Sequence, residues 1–192
     1  MLQRLTRRED VIYVRGNHDQ AILDIIEQRE PESNGEELEH HEWIAKNLEK
    51  SYHPFLAQLP MQRSASYNEK KFLFRHYHME ANETFLPIDQ EPSALKLDSI
   101  YQTEGADVVC FGHHHILHHF KSNQNQRLYL NPGALGCGHQ SIAPYALMTI
   151  VPTGEIDVCV KEISYDSQEF LKGFEVLQVP ARDSILKIFY GI

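Results

Sequence analysis

The sequence predicts an α/β layered domain, on two observations. Short β-branched and aromatic runs of strand length stand between stretches whose apolar residues recur at helical spacing. Several of those runs stop at a glycine followed by polar residues, as strands do where they turn into loops. A chain of 192 residues suits one domain, and 42% hydrophobic against 23% charged residues is enough apolar surface for a core. We therefore expect a single domain over 1–192, with a cap-like helical segment at about 31–60 and a helical tail at 167–192.

In chain order, Val11–Val14 reads as a buried strand running into Arg15 and Gly16. From Gln20 to Ile26, Ala21, Ile22, Ile25 and Ile26 fall at helical spacing. A polar break at Pro31–Gly35 precedes a helix over Glu36–Lys50, whose acidic start suits the positive end of the helix dipole. That segment ends near Leu59 and Pro60. Met61–Tyr67 and Lys71–Tyr77 flank Asn68 and Glu69, which predicts a hairpin. A loop holding Pro87 and Pro92 leads to a helix around Ser93–Thr103, and Asp107–Phe111 is a buried strand broken by Gly112. Arg127–Leu130 is a further strand, ending at Asn131–Gly133. Tyr145–Val151 and Ile156–Ile163 flank Pro152–Glu155 as a second hairpin, and Ser167–Tyr190 is helical with an interruption at Pro180.

The net charge of −9 argues against a nucleic-acid-binding surface, which needs a lysine and arginine surplus. The longest apolar run, Tyr145–Val151, falls far short of the ~20 residues that span a bilayer, so no membrane partner is expected. Met1–Asp10 lacks the apolar stretch of a secretory signal. Cys110, Cys137 and Cys159 are widely spaced and make neither a disulfide framework nor a metal pair, so they are expected to be inert. The expected location is the cytoplasm.

Histidine is the compositional oddity: the chain has twelve, five of them within Gly112–Phe120. Three polar groups follow predicted strands: Gly16–Asp19, His76–His78 and Gly112–His115. Open α/β sheets place their ligands just past strand carboxyl ends, and glycine lets the backbone turn sharply there. Imidazole nitrogens with an asparagine carbonyl suit Mn, Fe, Zn or Co better than an all-oxygen Mg or Ca cage. The plainer alternatives are a turn with a helix cap at Gly16–Asp19 and a solvated loop at Gly112–His115. Position after strands favours the metal reading. His114, His118 and His119 read as bystanders, and His40 and His41, among Glu37, Glu39 and Glu42, as a solvated helix face or else a cap over substrate. Trp43, Ile44 and Leu48 read as core, and Phe170, Phe174, Phe189 and Tyr190 as cover for the sheet or a homo-oligomer interface.

Gly16-Asn17-His18-Asp19, a later histidine after a strand, and Gly112-His113-x-His115 together resemble the second half of the calcineurin-like metallophosphoesterase signature. Asn131–Gly133 and the stretch from Trp43 to Leu59 and Pro60 add to the likeness, which runs over nearly the whole chain and is nearest to small bacterial members. The resemblance implies a layered β-sandwich flanked by helices and a pair of divalent metal ions. It also implies a small phosphorylated substrate: a phosphomonoester, a phosphodiester or a nucleotide pyrophosphate. Asn17, His76 and His113 are implied as ligands of one ion and His115 of the other. His18 is implied to contact the phosphate and protonate the leaving oxygen, with Asp19 hydrogen-bonded to it. His78 is the alternative ligand to His76, since the family commonly shows glycine where Tyr77 stands; otherwise it is a weak substrate contact or a plain surface histidine.

The signature opens with Asp-x-His and Gly-Asp-x-x-Asp, and neither motif occurs in this sequence. The resemblance therefore implies a fold lacking its first βα units, through an N-terminally truncated product or a reading begun at an internal Met. Three functional readings follow: an active phosphoesterase, a catalytically dead remnant that binds metal or a protein, and a chain completed by a separate N-terminal fragment.

Overall fold

The computed structural model describes residues 2–192. The chain divides into two compact units, one of residues 2–61 with 166–192 and one of residues 62–165. The second unit holds the sheet. β1 (Gln62–Tyr67) and β2 (Lys70–Arg75) form the expected hairpin, closed by Asn68 and Glu69 with φ of 45° and 64°. Two successive positive φ values give the turn whose twist matches that of the flanking strands. β2 runs parallel to β3 (Val108–Cys110), which runs parallel to β5 (Leu128–Asn131), while β4 (His118–Lys121) lies antiparallel at the far edge. The five-stranded order is β1-β2-β3-β5-β4, and the sheet is mixed.

Burial follows from position in that sheet. The central strands are apolar on both faces because both are covered. Helix α5 (Ala94–Ile100) lays Leu97, with Tyr101 beyond its end, against Leu73, Val109 and Tyr129. On the other face the long hairpin of β6 (Ile142–Ile150) and β7 (Ile156–Ser164) sets Met148, Ile150, Ile156 and Val158 against Phe72, Val108 and Leu128. The layered α/β class expected from the sequence is the one observed. Two polar devices hold α5 in place. The Asp98 carboxylate accepts from Ser122 Oγ at 2.6 Å, Tyr129 OH at 2.8 Å and Asn125 Nδ2 at 3.1 Å. The buried Arg127 guanidinium donates to the carbonyls of Tyr101 and Ala106, at 2.6 and 2.7 Å, and of Glu104, just past the helix end.

In the first unit, after the short α1 (Leu2–Leu5), α2 (Asn17–Ile26) buries Ile22 and Leu23 with Leu56 of α4 (His53–Gln58), and Ile44, Ala45 and Leu48 close over them. Ile44 and Ala45 belong to α3 (Gly35–Asn47). Helices α6 (Gln168–Val176) and α7 (Arg182–Tyr190) are separated around Pro180 as expected, and Phe170, Phe174 and Tyr190 pack on one another. Two expectations need correction. Val11–Val14 is not a strand: it has no ladder partner among the described residues, and Val11 and Ile12 are 37% and 42% exposed. β4 was not expected, since its His118, His119 and Lys121 carry no apolar alternation; it forms because the edge of β5 offers it a partner.

Candidate functional site

The parallel register puts the carboxyl ends of β2 and β3 side by side, so His76 and Gly112 are neighbours, and the Gly112 N–H donates to the His76 carbonyl at 2.7 Å. His113, next along, adopts φ of 64°, a left-handed backbone that a non-glycine residue takes only when its surroundings hold it there. Asn131 does the holding. Fully buried at the end of β5, its Nδ2 donates to the carbonyls of Gly112 and His114, and its Oδ1 accepts from Gly133 N at 2.9 Å.

Held this way, His76 Nε2 and His113 Nδ1 stand 3.0 Å apart, with Phe85 against both rings. Two adjacent ligands about 2.0–2.1 Å from one ion are separated by about 3 Å when they meet it at right angles, so the pair fits a shared divalent ion. His115 is exposed on the same turn, its Nδ1 3.1 Å from Cys137 Sγ, a thiol that burial pushes up. No spacing signal joined that cysteine to the histidine turn.

His78 is 2% exposed, its Nδ1 2.7 Å from Tyr101 OH, and burial lowers its pKa to about 4. The surface-histidine alternative is thereby corrected: Tyr77, Tyr101 and Phe111 enclose the ring. His114 is also buried, its Nδ1 2.9 Å from His118 Nε2, so these two form a packed pair instead of loop decoration.

The first unit carries Asn17, His18 and Asp19 on the opening turn of α2. Asp19 Oδ2 accepts from Gly16 N at 2.8 Å, which caps the helix. Burial pushes the Asp19 carboxyl up, opposed by that N–H and by the charges of His18 and Arg15. His18 Nδ1 meets His41 Nε2 at 2.7 Å, and Glu37 Oε1 lies 3.8 Å from the same nitrogen. His41 is 1% exposed, and its Nδ1 is 2.9 Å from Ser33 Oγ. Its pKa is lowered to about 4, first by burial and then by the charges of His18 and His40. The solvated-face reading is therefore corrected for His41, which turns inward from α3 toward α2. A helix periodicity count could not find it, because its partner lies on another helix.

Comparison with known proteins places the chain in a family. The sequence matches the calcineurin-like phosphoesterase superfamily domain over residues 1–152. No curated protein matches it. Among solved structures, a hypothetical protein from Pyrococcus horikoshii is similar with a TM-score of 0.77 at 15% identity, covering 99% of this chain and 77% of that one. A metallophosphoesterase from Sphaerobacter thermophilus is similar with a TM-score of 0.65 at 15% identity, covering 94% and 76%. At these identities the two structures show the fold.

Proposed function

The chain belongs to the calcineurin-like phosphoesterase superfamily, a family of metal-dependent phosphoesterases, and from that premise we propose that it hydrolyses a small phosphorylated substrate with two divalent ions. The reading is carried by one observation: His76 and His113 are held 3.0 Å apart at the carboxyl ends of adjacent parallel strands. Divalent ions bound at such a site draw charge from the phosphoryl oxygens and supply a strong nucleophile from water near neutral pH.

The chain's own residues divide the remaining work. On the family pattern, Asn17, His76 and His113 would hold one ion and His115 the other. His18, through Nε2, donates a proton to the leaving oxygen, because its Nδ1 is engaged with His41. Asp19 fixes the backbone beneath His18 through its bond to Gly16 N. The donor set fits Mn, Fe, Zn or Co. Phosphomonoesters, phosphodiesters and nucleotide pyrophosphates are all within reach of this chemistry. A second reading is favoured by the sequence itself: with neither an Asp-x-His nor a Gly-Asp pair in its 192 residues, the chain is a metal-binding or protein-interaction member without turnover.

Hydrolysis of a chromogenic phosphodiester with Mn²⁺, beside His18→Ala, His113→Ala and metal-free samples, separates the two. Metal-dependent turnover lost in both variants is the expected result. A folded, metal-loaded chain with no turnover on mono- and diester substrates contradicts the first reading and supports the second.

A further inference from the structure

Helices α2 and α3 bring together a second set of metal-type donors within the first unit. We propose that His18, Glu37 and His41 form a further divalent-cation site of the zinc type, built from a different set of ligands than His76 and His113. The three ligand atoms all lie within 4.8 Å of one another. Glu37 and His41 are four residues apart on α3 and so share a face, while His18 comes from the first turn of α2.

The His18–His41 contact has hydrogen-bond length, and what points to a shared ion is the Glu37 carboxylate that faces the same His18 nitrogen. His41 Nε2 and Glu37 Oε1 lie 2.7 Å and 3.8 Å from His18 Nδ1. Ligands about 2.0–2.2 Å from a tetrahedral zinc ion stand roughly 3.3–3.5 Å apart. The first contact must therefore open by about 0.6–0.8 Å and the second close by about 0.3–0.5 Å. The groups that must move, His18 and Glu37, each have half-exposed side chains at 51%. The group that stays, His41, is buried and fixed. A hydrogen bond between two rings accounts for the shorter contact, but it does not bring a carboxylate to face the same nitrogen.

Ser33 supplies the second, independent observation. Its hydroxyl occupies the other ring nitrogen of His41 at 2.9 Å, leaving Nε2 aimed into the cluster. Ligating imidazoles are commonly oriented this way, by a hydrogen bond at the nitrogen that does not bind metal. Two imidazoles and one carboxylate leave a fourth position for water or an anionic oxygen. On the phosphoesterase reading above, a metal on His18 Nδ1 takes the place of the His41 contact and leaves Nε2 as the proton-bearing nitrogen of that ring.

The test uses the full chain stripped of metal, titrated with Co²⁺ by visible absorption and with Zn²⁺ by calorimetry. The variants are Glu37→Gln, His18→Ala and Ser33→Ala, with the double variant His76→Ala/His113→Ala as comparator and circular dichroism to confirm folding. The double variant should keep one tetrahedral-type Co²⁺ spectrum. Glu37→Gln and His18→Ala should lose it, and Ser33→Ala should weaken Zn²⁺ binding about tenfold. Absence of that spectrum from the double variant overturns the proposal, as does unchanged Zn²⁺ binding in Glu37→Gln and His18→Ala. No turnover is measured, so failure of the phosphoesterase reading leaves the result intact.

Discussion

Two histidine pairs are built by opposite means. His76 and His113 are placed by backbone: strand register, the Gly112–His76 bond and the Asn131 side chain that grips the turn. His18 and His41 are placed by side chains: Ser33 behind one ring, Glu37 beside the other, on two helices whose packing brings them together. A backbone-built pair is as rigid as its sheet, and only changes to the scaffold can move it. A side-chain-built pair can be retuned one contact at a time.

That contrast orders the predictions. Arg127→Met should be the most damaging scaffold change, because three carbonyls at the end of α5 lose a charged, buried donor. At about 1.5–3 kcal/mol for each hydrogen bond to a charged group, partly recovered by relaxation, a loss of about 3–5 kcal/mol is expected in urea unfolding. Asn131→Ala should cost about 2–3 kcal/mol by removing one donor from each of the Gly112 and His114 carbonyls, which keep the N–H of His114 and of Ile116, and the acceptor of the Gly133 N–H, and it should weaken divalent-ion binding at His113. An Asn131→Ala protein that unfolds as wild type and binds Mn²⁺ equally well would break the contrast.

Acid sharpens it further. Burial pushes the Asp98 carboxyl up, but hydrogen bonds from Ser122, Tyr129 and Asn125, with the Arg127 charge, outweigh burial and hold it below the ordinary range. A depressed carboxyl contributes stability that is complete above its unfolded pKa of about 3.9 and is lost as pH falls through the lower folded value. Urea midpoints should therefore fall below about pH 4 in wild type, and less steeply in Asp98→Asn. The smallest effect belongs to Gly112→Ala. Its backbone needs no positive φ, and an added Cβ would meet only the His76 carbonyl oxygen at 3.5 Å, an ordinary contact. A change of under about 1 kcal/mol is expected.

Legibility in the sequence follows the same division. The β1–β2 hairpin, the β3 strand and the β6–β7 hairpin were readable because apolar runs and turn residues are local signals. The Gly112–His115 turn was readable for the same reason, since it sits directly after an apolar strand. Val11–Val14 has strand composition without a strand, because a strand is defined by its neighbour and not by its own residues. His41 was misread for an equivalent reason. Among glutamates on a polar helix it looks solvated, and only the packing of α3 on α2 turns it inward. The Cys137–His115 contact joins residues 22 apart through irregular chain, where no periodicity operates.

The divalent-ion site proposed at the backbone-built pair is tested most closely by direct titration of the metal-free chain with Mn²⁺. Wild type and His119→Ala, an exposed neighbour on β4, should bind alike, whereas His76→Ala/His113→Ala should lose at least one equivalent. Mn²⁺ binding in the folded double variant with the stoichiometry and affinity of wild type would contradict it.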